Sequence, residues 1–225
     1  MSSSRHFMNH RHEPISSPDL FPTPPWATRS VLHEILLPMG LDLRNQSACD
    51  PAVGKGHMLP ALQEVFKSVD FSDLNDWGIS APVIDFLSPE AAWLSADWII
   101  TNPPFNLATE FLLRAYEIAR KGVAFLVRIN FLSGIERYNT IFRCQKPTLI
   151  AFYSERVPII EGVWDPQSST ATDYVWLIWL KGSSPMVPVW FPPGMEEKYT
   201  KQSDMVLATP GEAARRLSVK KAMGQ

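Results

Sequence analysis

The chain has 225 residues, enough for one domain with a sizeable core, and its 45% hydrophobic and 20% charged residues exclude wholesale disorder. A formal net charge of −2 gives no broad basic surface, so any nucleic-acid role has to rest on a local patch or on site chemistry. Cys49 and Cys144 form neither a disulfide framework nor a zinc-ligand set, and no apolar run reaches the roughly 18 residues that span a bilayer. The polar start also lacks the apolar stretch of a secretory signal, so a cytoplasmic protein without metal or membrane contact is expected.

Residues 1–20 carry Ser, His and Pro without periodicity and predict a mobile tail, with His6, His10 and His12 solvated rather than metal-binding. Val31, Leu32, Ile35 and Leu36 recur at helical spacing over Thr28–Met39, and Pro38 and Gly40 stop that helix. Gln46–Cys49 predicts a strand leading into the glycine loop Asp50-Pro51-Ala52-Val53-Gly54-Lys55-Gly56, followed by a helix from about His57 to Lys67. Pro60 sits early in that helix, where a missing N–H costs least. Ser68–Leu74 predicts a second strand, Pro82–Leu87 a weaker one, and Trp98–Thr101 an apolar strand running into Asn102-Pro103-Pro104-Phe105.

Leu107–Lys121 gives the clearest helical stripe, with Glu110–Arg114 and Glu117–Lys121 as i,i+4 pairs and Gly122 as its stop. Val123–Arg128, Leu149–Tyr153 and Tyr174–Leu180 read as further strands, the last two joined by a long loop, and residues 211–222 as a final helix. Alternating strand–loop–helix units predict an α/β fold: a doubly wound, Rossmann-like, seven-stranded, mainly parallel sheet with an antiparallel C-terminal strand pair. The expected organisation is a tail to residue 20, one domain over 21–203, and a C-terminal tail or helix over 204–225.

Asn102-Pro103-Pro104-Phe105 carries the strongest chemical signal. Two prolines make a rigid turn, but a turn needs neither the Asn before them nor the aromatic after them. The Asn oxygen and the carbonyl before the second proline can both accept from one exocyclic NH₂ group, while the ring stacks on the heterocycle that bears it. Holding both protons favours a pyramidal nitrogen with its lone pair free, a positional and electrostatic form of catalysis. Asp50, Asp73, Asp85 and Asn102 follow one another at intervals of 23, 12 and 17 residues, each ending a predicted strand. In a doubly wound sheet all four fall along the carboxyl edge, where ligands bind.

The tetrapeptide resembles the signature of the class I S-adenosylmethionine-dependent methyltransferases, and within them the DNA adenine-N6 enzymes. The resemblance covers roughly residues 20–135, more than half the chain. It implies that Asn102, Pro103, Pro104 and Phe105 are catalytic and that S-adenosyl-L-methionine is the cofactor. It further implies that Asp50, Pro51, Ala52, Gly54 and Gly56 form the cofactor loop. Asp73 would take the cofactor ribose, with Asp70 as a competitor, and Asp85 and Phe86 would contact the cofactor adenine. Phe21-Pro22-Thr23-Pro24 resembles the family's N-terminal cofactor element, which places Phe21, Thr23 and Pro24 in the site.

The acceptor implied is adenine in DNA. The same tetrapeptide also serves enzymes acting on adenine in RNA or on a glutamine amide in protein, and an inactive nucleic-acid-binding module on the same fold is a further alternative. The chain departs from many adenine enzymes in having no room for a target-recognition domain. Recognition would have to come from a 131–146 loop with Arg137, Arg143 and Lys146, from the 156–173 loop, or from the basic C-terminal segment. Trp26, Trp164, Trp176 and Trp179 are possible base-stacking groups, although the last two lie in an apolar strand. A monomer or small homo-oligomer is expected.

Overall fold

Continuous apolar runs make the inner strands, because a parallel sheet covered on both faces needs no polar side. The structure, a computed structural model, describes residues 19–184 and 189–222, so His6, His10 and His12 and most of the expected tail lie outside the described residues. Its strands are β1 (Ser47–Asp50), β2 (Ser68–Phe71), β3 (Trp98–Thr101), β4 (Gly122–Arg128), β5 (Leu149–Tyr153), β6 (Tyr174–Leu180) and a short β7 (Val189–Phe191). They lie in the order β2-β1-β3-β4-β6-β5-β7. β6 runs antiparallel to both β4 and β5, and the remaining pairs are parallel.

The helices are α1 (Pro25–Val31, widening into a π turn over Leu32–Leu36), α2 (Leu59–Val65), α3 (Ala108–Ile118), α4 (Ile135–Arg137, with a π turn over Tyr138–Phe142), α5 (Met195–Tyr199) and α6 (Glu212–Ala222). Period-2 alternation sends Ala124, Leu126, Trp176 and Ile178 to one face and Val123, Phe125, Leu177 and Trp179 to the other. The first face is covered by Trp26, Leu32 and Leu36 of the α1 region and Leu62 of α2, the second by Phe111, Leu112 and Ala115 of α3. The expected α/β architecture with helices on both faces is therefore present.

Several expectations need correction. Six of the predicted strands form, but Pro82–Leu87 does not. Pro82 has no N–H to give a ladder, and Val83 and Asp85 are exposed, so the segment makes one bridge, Asp73 to Val83, and then turns. The outer position beside β5 is filled instead by β7, three residues that carry too little pattern to read. Gly122 does not stop α3, which ends at Ile118; it opens β4, where the Trp98 ring lies 2.5–2.8 Å from the place a Cβ would take. With the helix that short, Glu117 pairs back to Arg114 at 2.9 Å rather than forward to Lys121. The 131–146 segment is largely helical rather than a loop. Trp26, Trp164, Trp176 and Trp179 are all buried in the core and offer no base a free face.

Candidate active site

Parallel strands place their C-terminal ends along one edge, so β1, β2 and β3 deliver Asp50, the Asp73 loop and Asn102 to the same side of the sheet. There a cavity of about 450 Å³ opens between the glycine loop, the 73–86 segment, the tetrapeptide and residues 19–23. Its lining includes Phe21, Thr23, Asp50, Pro51, Ala52, Gly54, Asp73, Asp85, Phe86 and all of Asn102, Pro103, Pro104 and Phe105. Two predicted residues are outside it. Pro24 is buried at the start of α1, where its carbonyl accepts the Ala27 N–H at 3.0 Å, and Gly56 turns the chain into α2. Asp70, the competitor of Asp73, is exposed on β2 and does not line the cavity.

The Asp50 carboxylate is 1% exposed. It accepts from the Thr101 hydroxyl at 2.7 Å and from the Ala52 N–H at 3.3 Å. Burial pushes its pKa up to about 7 against those two hydrogen bonds, and the charge of Asp73 adds to the rise. Asp73 holds the loops together: Oδ2 accepts the Gly54 N–H at 2.8 Å and Oδ1 the Asn75 N–H at 2.9 Å. Gly54 has φ +52°, and a Cβ there would meet Leu20 at 2.8 Å, so the loop needs glycine for its turn and for the chain crossing above it. Asp85 is exposed and closes a turn by accepting the Leu87 N–H at 2.9 Å, while Phe86 is buried against Phe111 at 5.0 Å.

The tetrapeptide is clasped by the N-terminal segment. Asn102 Nδ2 donates to the Phe21 carbonyl at 2.9 Å, which fixes the amide and leaves Oδ1 buried without a partner. The Phe105 N–H donates to Asp19 at 2.7 Å, and the Phe21 and Phe105 rings meet at 4.8 Å. The Arg128 guanidinium, at the end of β4, lies 3.8 Å from the Phe105 ring centre and covers one face. Stacking on Phe105 therefore has only its remaining surface.

Sequence reading missed three residues here. His57 lines the cavity; burial lowers its pKa to about 4, so it is neutral at pH 7. Its Nε2 lies 3.0 Å from the Leu207 carbonyl and so carries the proton, which leaves Nδ1 as a buried acceptor without a partner. Trp77 also lines the cavity, with a buried indole N–H that finds no partner. Neither carries a motif. Arg128 was more legible, since a cation ending an apolar strand next to β3 must sit on the ligand edge.

The donor set suits a nucleoside-bearing amino acid such as S-adenosylmethionine. Carboxylates at Asp50 and Asp73 match an ammonium and ribose hydroxyls, and Ile84, Phe86 and Phe111 give an apolar end. Thr23, Trp77 and Asn102 each keep a buried polar atom unmet, as an open ligand site does. Among the described residues no cluster of His, Cys, Asp and Glu could hold a metal, and no helix is long and apolar enough to cross a membrane.

No protein-family model matches the sequence, and no curated protein matches it at significant similarity. Solved structures do match. A protein assigned as a class I S-adenosylmethionine-dependent methyltransferase from Listeria monocytogenes aligns with TM-score 0.53 and 14% identity, over 75% of this chain and 64% of that one. The type I restriction-modification methyltransferase subunit from Streptococcus thermophilus gives 0.55 and 13%, over 73% and 45%. The M protein of the type I restriction enzyme EcoKI gives 0.54 and 16%, over 75% and 45%. The chain thus has the class I methyltransferase fold, and it spans about half to two thirds of the length of these neighbours.

Proposed function

We propose that the protein is an S-adenosylmethionine-dependent N-methyltransferase whose acceptor is the exocyclic N6 amine of adenine in DNA. The observation that carries this reading is Asn102: its amide is locked by the Phe21 carbonyl, so that a buried, unpartnered oxygen stands ready at a cavity edge. When bound, S-adenosylmethionine supplies an electrophilic methyl group on a positively charged sulfur. Asp73 holds the ribose hydroxyls, and Asp50 meets the positive end. Asn102 Oδ1 and the Pro103 carbonyl accept the two amine protons and keep the nitrogen lone pair out of the ring. The prolines fix that carbonyl and, lacking N–H groups, offer it no competing donor. Fold likeness to restriction-modification methyltransferase subunits supports DNA as the acceptor.

The test incubates the protein with tritiated S-adenosylmethionine and separate DNA, RNA and protein pools. Label in DNA as N6-methyladenine is expected; label only in RNA or protein replaces the acceptor. Asn102→Ala should lower transfer by roughly 10²–10³, as loss of one preorganised contact does. Asn102→Asp, which keeps an acceptor, should lose much less. Cofactor affinity should stay unchanged in both, with thermal unfolding as a check on the lost Phe21 bond. Near-wild-type transfer by Asn102→Ala would exclude the site as drawn.

A further inference from the structure

Beyond β4 the chain leaves the sheet one residue after Arg128, whose guanidinium touches Phe105, and returns at β5. The intervening residues 129–146 are built unlike the rest of the surface. Phe131 and Ile141 are buried, and Phe131 meets Phe142 edge-on at 6.2 Å, so the element is anchored from below. Arg137 does not reach outward. It donates back to the Ser133 and Asn130 carbonyls and lies 5.2 Å from the Phe131 ring centre. Gly134, at φ +128°, permits this, since a Cβ there would stand 3.1 Å from the guanidinium. A stiff knot results.

From that knot Ile135 projects 84% exposed and Tyr138 56% exposed, with Ile129 at 42%. Arg143 and Lys146 are exposed as well, and among the described residues neither pairs with an acid. The stretch 128–146 contains Arg128, Arg137, Arg143 and Lys146 against Glu136 alone, a local charge of 4 − 1 = +3 in a chain of net −2. Bare apolar groups on a rigid base, flanked by free cations and next to the catalytic tetrapeptide, fit a stacked polyanion.

We propose that residues 129–146 form a wedge for duplex DNA, with Ile135 and Tyr138 entering the base stack and Arg143 and Lys146 on the phosphates. This rests on the methyltransferase reading above. An amine that must reach Asn102 has to leave the duplex, and unstacking costs a few kcal/mol that an inserted side chain offsets. The wedge also supplies what the absent recognition domain does not: a grip placed beside the site by β4 itself.

The experiment measures methyl transfer to sheared genomic DNA, native and heat-denatured, so that both pools carry the same sites. Ile135→Ser with Tyr138→Ser should slow transfer to native duplex about tenfold or more and leave denatured DNA within about twofold. Both side chains are exposed, so thermal stability should hardly move. Arg143→Gln with Lys146→Gln should reduce the slope of log affinity against log salt on native duplex by about 2, one unit per lost phosphate contact. Equal slowing on both DNA forms, or no change on either, overturns the wedge while leaving the enzyme reading intact. A wild-type dimer that the Ile135/Tyr138 variant splits, seen by sedimentation, assigns the face to self-association and also overturns it. Wild-type protein inactive on both DNA forms overturns the DNA reading itself, and the wedge with it.

Discussion

Asp204 and Asp50 are both 1% exposed, yet the protein treats their charges in opposite ways. Asp204 faces Arg29, which bonds it through two nitrogens at 2.6 and 3.0 Å and also donates to Glu64 and the Tyr199 carbonyl. Burial works against the Arg29 charge, but the hydrogen bonds to Glu64 and Asp204 outweigh it and hold the guanidinium firmly ionised. Asp50 has no cation in contact among the described residues, only a hydroxyl and an N–H. A charge completed within the chain fastens the C-terminal segment to α1 and α2. A charge left incomplete at a cavity is a place for a ligand to complete it. Physical chemistry tolerates the second arrangement only where something else gains from it.

That contrast predicts substitutions of opposite sign. Asp204→Ala strands the Arg29 charge beside a half-exposed Glu64 and should destabilise the fold by about 3–5 kcal/mol, the usual cost of breaking a buried pair. Denaturant titration at pH 7 measures it, and a loss below about 1 kcal/mol would erase the distinction. Asp50→Asn should stabilise the ligand-free protein. The folded pKa of about 7 lies above the ordinary carboxylate value, so the neutral form contributes stability that is full below about pH 4 and is lost as pH rises through 7. The gain from Asn should therefore be near zero at pH 4 and reach about 3–4 kcal/mol at pH 8. Melting curves across that range settle it; a gain that does not vary with pH would mean Asp50 is neutralised by something other than burial.

A smaller effect sharpens the same comparison from the ligand side. Asp73→Ala should weaken S-adenosylmethionine binding about tenfold or more by calorimetry, from the loss of charged hydrogen bonds. Asp70→Ala, on the exposed face of β2, should leave it unchanged. Equal affinities for wild type and Asp73→Ala would remove Asp73 from the site.

The sequence by itself determined the order of strands, loops and helices up to β6, because apolar period and glycine or proline stops are local properties. It also determined the tetrapeptide and the acids at 50 and 73, since a residue ending a parallel strand has one edge to occupy. Pro82–Leu87 failed as a strand because composition does not say whether a partner ladder is there to pair with, and β7 was invisible for the converse reason. Only the tertiary structure decided which polar groups are satisfied. Arg29 meets Asp204 across 175 residues, Asn102 meets the Phe21 carbonyl across 81, and Arg128 settles on Phe105 from a neighbouring strand. Hydrogen-bond completion and burial depend on what the chain brings back from far away, and no local pattern encodes that return.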